Sequence, residues 1–243
     1  MPLGIITSTQ IEADLVTRLL IERNDFFIQG KYFYKGILGQ NTDVVVCICG
    51  VGKANAAHGT TLLIERFKID TLYVIGVGGA YPSSGLKIGD IVIAEKEIYG
   101  DEGLATRSGV KEKNKINFYT MDKINIPLCI ADGIEYYNEF PMSLPKKVKI
   151  QSSDFKVKTG NFITVSTCTG ILERGMELEK RFDAICENME GAAVAHICAL
   201  SKIPVIEIRG ISNIIDDRAA EPLSKIDIIK AAENAQRFLL QLI

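Results

Sequence analysis

A chain of 243 residues, of which 47% are hydrophobic and 24% are charged, has the length and composition of one α/β domain with a sizeable buried core. Its formal net charge of -2 and its lack of any block of lysine and arginine give no electrostatic basis for binding nucleic acid. No apolar run reaches the roughly 18 residues of a membrane span, and the N-terminus enters a strand pattern without the basic region of a signal peptide. We therefore expect a cytoplasmic protein with no membrane partner.

Apolar segments of strand type and of helix type alternate along the chain. The predicted strands are Leu3–Thr7, Tyr32–Leu38, Asp43–Cys49, Thr71–Ile75, Asp90–Ile98, Asn161–Ser166, Phe182–Cys186 and Ile203–Ile211. The predicted helices are Gln10–Arg23, Ala54–Phe67, Ile171–Arg181, Gly191–Ser201 and Ser224–Leu240. Residues 99–160 are more polar and contain three prolines, which indicates long loops with one short helix near Ile126–Tyr137.

This order of elements predicts an α/β fold. Tyr32–Leu38 and Asp43–Cys49 should pair as a hairpin, and the remaining short apolar strands alternate with helices. Such a pattern is typical of a mixed, mostly parallel central sheet flanked by helices on both faces. We expect residues 1–243 to form a single domain.

Six scattered cysteines lie mostly inside apolar runs. Cys47 and Cys49 would share one face of a strand, but no second Cys or His pair has the spacing of a zinc site. The sequence therefore favours free buried thiols, and it predicts neither a metal nor another cofactor.

Two glycine-rich turns resemble nucleotide-binding motifs but lack residues that those motifs require. Residues 50–54 lack the first glycine and the Ser or Thr of a phosphate-binding loop. Residues 76–81 lack the last glycine of a dinucleotide fingerprint and are followed by Pro82 rather than by a helix pattern. The second turn is equally consistent with a close approach of backbone to a ligand and with a plain structural turn.

Polar side chains follow three predicted strand ends. Glu12, Glu190 and Asn213 each lie just past such an end, where parallel sheets usually bind ligands. A glutamate in the first turn of a helix often only complements the helix dipole, and this alternative stays open for Glu12 and Glu190. His58 and His196 fall within helix patterns, where packing is a commoner role than catalysis.

An ordered set of motifs resembles the nucleoside phosphorylase and nucleosidase family over nearly the whole chain, most weakly from about residue 103 to 160. The motifs are Gly4-Ile5-Ile6 with Glu12, Gly50-Val51-Gly52-Lys53, Gly76-Val77-Gly78-Gly79, Leu86-Lys87-Ile88-Gly89-Asp90-Ile91-Val92, Asn188-Met189-Glu190-Gly191-Ala192-Ala193 and Arg209-Gly210-Ile211-Ser212-Asn213. The methylthioadenosine/S-adenosylhomocysteine nucleosidases and futalosine hydrolase are the members that it resembles most.

The resemblance implies a role for each matching residue. Met189 and Glu190 would contact the ribose, Glu12 would deprotonate the attacking water, and Asn213, after Ser212, would face the purine. Further substrate-binding residues by similarity are Gly78, Gly79, Ser166, Thr167, Thr169, Gly170 and Ile171. The ligand would be a purine nucleoside, and the family forms oligomers, so we expect a homo-oligomer.

Asn213 is a departure from the adenine-specific nucleosidases, which carry aspartate at that position. An Asn amide cannot act as an acid toward N7, but its NH2 group can donate to N7 and O6 of a 6-oxopurine. Asn213 therefore favours hypoxanthine as the leaving group. Residues 165–170 and 99–103 also resemble futalosine hydrolase more than the adenine enzymes, so the sequence predicts hydrolysis of futalosine.

Other activities remain open at this point. Phosphorylases of this family bind phosphate with arginines in segments where this chain has Thr7-Ser8-Thr9-Gln10 and Thr71–Ile75, and neither segment contains an arginine. Water is therefore the better predicted nucleophile. The alternatives are an adenine-releasing nucleosidase for methylthioadenosine, S-adenosylhomocysteine or aminodeoxyfutalosine, an inosine-type phosphorylase, and a non-catalytic nucleoside-binding protein.

Overall fold

The computed structural model describes residues 1–107, 116–145, 155–218 and 223–243. The strands are β1 (Leu3–Thr7), β2 (Ile21–Ile28), β3 (Lys31–Leu38), β4 (Thr42–Ile48), β5 (Thr71–Ala80), β6 (Ile91–Tyr99), β7 (Gly103–Arg107), β8 (Ile116–Thr120), β9 (Cys129–Ala131), β10 (Ile134–Tyr136), β11 (Glu139–Pro141), β12 (Val157–Thr164), β13 (Ala184–Asn188) and β14 (Val205–Ile214). The helices are α1 (Asp14–Arg18), α2 (Lys53–Phe67), α3 (Leu172–Phe182), α4 (Gly191–Ser201) and α5 (Lys225–Leu240). None of these helices is both long enough and apolar enough to cross a bilayer.

One mixed sheet forms the centre of the molecule, in the order β11-β6-β12-β13-β5-β1-β4-β3-β2. β1 is parallel to both β4 and β5, whereas β2, β3 and β4 form an antiparallel meander. β14 lies between β5 and β6, parallel to the first and antiparallel to the second. The predicted α/β fold with a mixed central sheet is therefore confirmed.

The sheet closes on itself at one end. β13 pairs with the far end of β5, with Cys186 opposite Ala80 and Glu187 opposite Gly79. Because β12 joins β13 to β6, the five strands β5, β14, β6, β12 and β13 form a closed ring. This closure brings the ends of β5, β13 and β14 together.

The two faces of the sheet carry separate cores. Along β1 and β4, Ile5 and Val46 pack with α1 and α5 on one face, and Ile6 and Val45 pack with α2 and α4 on the other. Side chains alternate between faces along a strand, so an apolar residue at every position is what burial on both faces requires. Helix α4 is buried around most of its surface, which explains its run of small residues, Gly191 to Ala195.

The predicted helix Gln10–Arg23 is wrong in extent. Only Asp14–Arg18 is helical, and the chain then enters the edge strand β2 at Ile21. Two of the apolar residues whose spacing predicted this helix, Ile11 and Leu19, are exposed, so the spacing does not mark a core face. Pairing of β2 with β3 outweighs the local helical pattern.

The short helix predicted near Ile126–Tyr137 is also wrong. This segment forms the hairpin of β9 and β10 around Asp132 and Gly133, both of which have positive φ (55° and 77°). An Asp-Gly pair is among the strongest hairpin signals because the turn needs two left-handed residues. The other predicted elements are confirmed within a few residues, although β5 continues from Ile75 through the glycines to Ala80.

Candidate active site

A cavity of about 390 Å³ opens where β5, β13 and β14 end, a volume that suits a small-molecule ligand. Several loops and strand ends contribute to its walls. The lining includes Ser8, Thr9, Glu12, Val77, Gly78, Gly79, Thr169, Glu187, Asn188, Met189, Glu190, Arg209, Ser212, Asn213, Arg218 and Lys225. The predicted residues Glu12, Glu190 and Asn213, which come from distant parts of the sequence, all face this one cavity.

Glu12 is fixed by backbone N–H groups. Its Oε2 accepts hydrogen bonds from the N–H groups of Ser8 (3.1 Å) and Thr9 (2.8 Å) and from Thr9 Oγ1 (2.9 Å). Its Oε1 accepts from the N–H of Val77 at 3.0 Å. Burial raises the pKa of Glu12 above its ordinary value, although the charge of Arg209 and the N–H of Val77 act in the opposite direction. Glu12 is therefore a carboxyl group held by several hydrogen bonds, and its raised pKa makes it a stronger base than an ordinary glutamate.

Glu190 occupies the N-cap position of α4, but its side chain does not cap the helix. Instead, Asn188 Oδ1 accepts the backbone N–H groups of Glu190 (2.9 Å) and Gly191 (2.7 Å). The Glu190 carboxylate accepts a hydrogen bond from the N–H of Gly52 at 2.9 Å. A positive φ of 95° at Gly52 explains the glycine at this turn. The alternative that Glu190 only complements the helix dipole is thus insufficient, because the carboxylate is directed to the cavity.

Arg209 is the cation at the base of the site, and its side chain is 1% exposed. Its Nε donates to Glu207 Oε1 at 2.7 Å, and its Nη1 lies 3.4 Å from Glu190 Oε2. Burial lowers the pKa of Arg209, but the carboxylates of Glu207, Glu190 and Glu12 outweigh burial and raise it. The guanidinium is therefore a permanent positive charge shared by several buried carboxyl groups.

Asn213 follows an irregularity in β14 between Ile211 and Asn213. Ser212 is buried, and its hydroxyl oxygen lies 2.9 Å from Asn213 Oδ1 and 3.2 Å from the carbonyl oxygen of Gly78. A Cβ built on Gly79 would lie 2.9 Å from Asn213 Nδ2, so the amide packs directly over this glycine. When the serine proton is directed to Asn213 Oδ1, the nearer of the two acceptors, the NH2 group of Asn213 is available to a ligand.

The glycines of β5 are explained by close packing. A Cβ built on Gly76 would lie 2.5 Å from Arg209 Nη1 and 2.7 Å from Glu12 Oε1. Neither Gly76 nor Gly79 has a positive φ. This segment is a strand whose glycines admit side chains of the site, rather than a turn.

The remaining predicted substrate residues fall into two groups. Gly78, Gly79, Thr169, Met189 and Ser212 line the cavity. Ser166, Thr167, Gly170 and Ile171 are absent from the lining that the described residues form. In that segment only Cys168 and Thr169 reach the cavity, and Ile171 is 58% exposed, so contact of the other four with the substrate remains a prediction.

Several residues of the site were missed by sequence reasoning. Arg209, Glu207 and Asn188 form its buried polar base, and Glu187 accepts hydrogen bonds from Tyr81 and from both the N–H and the hydroxyl of Thr169. One signal was available, because Glu207 and Arg209 alternate inside an otherwise apolar strand. Such spacing places opposite charges on one face of a buried strand.

Among the described residues, no group of three or more His, Cys, Asp or Glu side chains is arranged to hold a metal ion. The carboxylates of the site are instead held by N–H groups and by one guanidinium. Together they can accept a proton and stabilise a developing positive charge.

A family model described as the phosphorylase superfamily matches residues 2–243. The chain belongs to this superfamily. A 5'-methylthioadenosine/S-adenosylhomocysteine nucleosidase from Maridesulfovibrio salexigens is 29% identical over 246 aligned residues, covering 100% of this chain and 99% of the relative. The enzyme of the same name from an Exiguobacterium strain is 31% identical, covering 90% of this chain and 88% of the relative.

Solved structures of superfamily members show the same fold. The nucleosidase of this type from Colwellia psychrerythraea, solved in complex with adenine, gives a TM-score of 0.77 at 25% identity, over 100% of this chain and 94% of that one. The Neisseria meningitidis enzyme, solved with methylthio-immucillin-A, gives a TM-score of 0.78 at 21% identity, over 99% and 97% of the two chains. The predicted family is therefore confirmed, and the special closeness to futalosine hydrolase stays a prediction.

Proposed function

We propose that this protein is a purine nucleosidase, which hydrolyses the N-glycosidic bond between a purine and a ribose. The observation that carries this proposal is the convergence of Glu12 and Glu190 on one cavity that also presents the Asn213 amide. The curated relatives named above are nucleosidases, which supports the same reaction class.

The chemistry assigns a different role to each carboxylate. Cleavage passes through a ribose with oxocarbenium character, so nearby negative charge lowers the barrier. Glu190, together with Met189, contacts the ribose and hydrogen-bonds its hydroxyls. Glu12, whose pKa burial raises, positions the attacking water and accepts its proton.

Water is a better nucleophile for this site than phosphate. The N–H groups of Ser8 and Thr9 and the Thr9 hydroxyl all donate to Glu12. These donors would otherwise form an anion-binding loop at the end of β1, but a carboxylate already occupies them. Arg209 is likewise engaged by Glu207, Glu190, Asn188 and the carbonyl of Val77.

The leaving group that best suits Asn213 is hypoxanthine. Ser212 holds the amide oxygen, so the NH2 group can donate to N7 and O6 of a 6-oxopurine. Hypoxanthine leaves as an anion more easily than adenine does, so a hydrogen-bond donor suffices without full proton transfer. An adenine would need an acid at this position.

Futalosine is the nucleoside that we propose as substrate, with hypoxanthine and dehypoxanthine futalosine as products of a step in menaquinone biosynthesis. Its 5′ arm ends in a benzoate. Arg218 and Lys225 line the cavity and supply positive charge for such a carboxylate. Leu223 and Ile228, in the same wall, offer apolar surface to the ring.

An adenine-releasing nucleosidase is the second candidate, because the curated relatives are methylthioadenosine/S-adenosylhomocysteine nucleosidases. Aminodeoxyfutalosine belongs to the same alternative. An inosine-type phosphorylase and a non-catalytic nucleoside-binding protein have no comparable observation in their favour.

Chromatography of the free base tests these candidates directly. The purified protein is incubated with futalosine, aminodeoxyfutalosine, methylthioadenosine, S-adenosylhomocysteine or inosine, each with and without phosphate. Fastest release of hypoxanthine from futalosine, at a rate independent of phosphate, is the expected result. Faster release of adenine supports the second candidate, dependence on phosphate indicates a phosphorylase, and intact ligands indicate a binding protein.

A further inference from the structure

Two more carboxyl groups lie side by side beneath the start of α4: Glu97 on β6 and Glu207 on β14. Both residues are fully buried, with 0% exposure. A Cβ built on Gly191 would collide with Glu97 Oε1 and also with Glu207 Oε2, so the two oxygens lie against the same point of the backbone. The two carboxyl groups are therefore immediate neighbours.

The other contacts of this pair are all donors. Asn188 Nδ2 donates to Glu97 Oε1 at 2.5 Å, and Thr164 Oγ1 donates to Glu97 Oε2 at 2.8 Å. Arg209 Nε donates to Glu207 Oε1 at 2.7 Å. Among the residues that the structure describes, Glu207 Oε2 has no donor. An ionised oxygen buried without a donor, next to a second carboxylate, is strongly unfavourable, and one proton between the two groups removes both problems.

We propose that Glu97 and Glu207 share one proton and act together as positioning residues for Glu190, an inference that rests on the proposed nucleosidase function. Asn188 Oδ1 accepts the backbone N–H of Glu190, and Arg209 Nη1 contacts its carboxylate. Glu97 holds Asn188, and Glu207 holds Arg209. The shared proton joins these two supports into a closed ring that fixes both the backbone and the side chain of Glu190.

The charges around the pair agree with one retained proton. The titratable and charged groups that face it are Arg209 on β14, Cys186 on β13, Tyr99 on β6, Glu190 at the start of α4 and, beyond Arg209, Glu12. Among these described groups, Arg209 carries the positive charge. It faces four carboxyl groups, those of Glu12, Glu97, Glu190 and Glu207. Burial and the neighbouring charge of Glu207 raise the pKa of Glu97 well above its usual value.

This ring of hydrogen bonds around Glu190 predicts that Glu207→Gln and Glu97→Gln differ in their effect on activity. In Glu207→Gln, the amide oxygen accepts from Arg209 Nε, and the NH2 group donates to Glu97 Oε1 in place of the shared proton. Every hydrogen bond is retained. In Glu97→Gln, an NH2 group that donates to Glu207 would also face Asn188 Nδ2, which is itself a donor. The two donors would oppose each other, so the hydrogen bond from Asn188 would be lost. Asn188 cannot turn over, because its oxygen already accepts from the N–H groups at the start of α4.

Infrared spectroscopy detects the proton itself, without any substrate. At neutral pH an ordinary carboxyl group is ionised, so the carbonyl stretch of a protonated acid arises only from groups of raised pKa. Glu12→Gln removes the contribution of Glu12, and the band that survives in this variant belongs to the pair. Adding Glu207→Gln should abolish that surviving band. Absence of the band in Glu12→Gln, or its persistence in the double variant, would overturn the shared proton.

Kinetics test the positioning role on whichever purine nucleoside the wild-type protein cleaves. Glu207→Gln should have a kcat less than tenfold below that of the wild type. Glu97→Gln and Glu207→Leu should each have a kcat at least tenfold below that of Glu207→Gln. Equal losses in both Gln variants, or failure of Glu207→Gln to fold, would contradict the ring. If the wild-type protein cleaves no nucleoside, the proposed function fails while the infrared result still decides the proton.

Discussion

Backbone N–H groups help to fix the direction of the Glu12 and Glu190 carboxylates. Three N–H groups, from Ser8, Thr9 and Val77, hold Glu12, and the N–H of Gly52 holds Glu190. Such donors are fixed by the strands and turns that carry them, so they need no reorganisation when charge develops on the ligand. At the same scale, the proposed preference for a 6-oxopurine depends on the amide of Asn213.

Asn213→Asp should shift the preference of the enzyme from 6-oxopurine to 6-aminopurine nucleosides. A carboxylic acid can protonate N7, and its carboxylate accepts from the exocyclic amine, whereas it repels O6 of hypoxanthine. We expect the ratio of kcat/KM for futalosine to that for aminodeoxyfutalosine to fall at least tenfold. The two nucleosides share their 5′ arm, so the ratio isolates the purine. An unchanged ratio would show that Asn213 does not read the six-position.

The acidic side of the pH–rate profile should report Glu12. Burial raises the pKa of this carboxyl group above 4.5, and Glu12 must be ionised to accept a proton from water. Activity should therefore be lost as the pH falls, at a midpoint higher than that of an ordinary glutamate. Measuring log kcat/KM against pH for the wild-type protein locates this midpoint. Full activity down to pH values near 4 would exclude Glu12, in its buried state, as the base.

At the scale of elements, the apolar pattern of the sequence predicts the secondary structure of buried strands but not that of the edge strand β2. β1 and β4 are apolar at successive positions because helices cover both of their faces, and this pattern is readable directly. β2 is exposed along nearly its whole length, so its partner β3, rather than its composition, makes it a strand. The hairpin of β9 and β10 stands where the sequence predicts a short helix, although the Asp132-Gly133 pair is itself a local turn signal.

Helix α5 packs against β14 so closely that Gly210→Ala should destabilise the protein. A Cβ at position 210 would collide with the carbonyl oxygen of Ala231 and lie 2.6 Å from its carbonyl carbon. Backbone atoms of a helix cannot move aside locally, so we expect a loss of about 1–3 kcal/mol in the free energy of unfolding. Gly170→Ala is the matched control, because the nearest atom to its new Cβ is 3.8 Å away. Equal urea midpoints for the two variants would contradict this packing.

At the scale of the whole molecule, the closed ring of β5, β14, β6, β12 and β13 makes the site. It brings a carboxyl group from position 12 together with others from positions 97, 190 and 207. The strand ends made Glu12, Glu190 and Asn213 predictable as candidates. Their buried supports depend on the register between strands that are distant in sequence, and no local pattern of the chain encodes that register.

The assembly state belongs to the same scale, and we expect a homo-oligomer. Ile11 and Val51 line the cavity and are 40% and 51% exposed, so apolar surface surrounds the opening. A second copy of the chain could bury this surface. Sedimentation velocity should give a mass of at least two chains at micromolar concentration. A mass of one chain would refute the expectation.

The turnover of Glu12→Gln and Glu190→Gln tests the central claim, that two distant carboxylates act on one sugar. On the nucleoside that the wild-type protein cleaves fastest, each variant should lose roughly two orders of magnitude or more in kcat, as expected for loss of a proton acceptor or a stabilising charge. Glu65→Gln, at an exposed position on α2, should keep wild-type activity. If either site variant is folded and stays within a few-fold of the wild type, the carboxylate concerned does not have the proposed role.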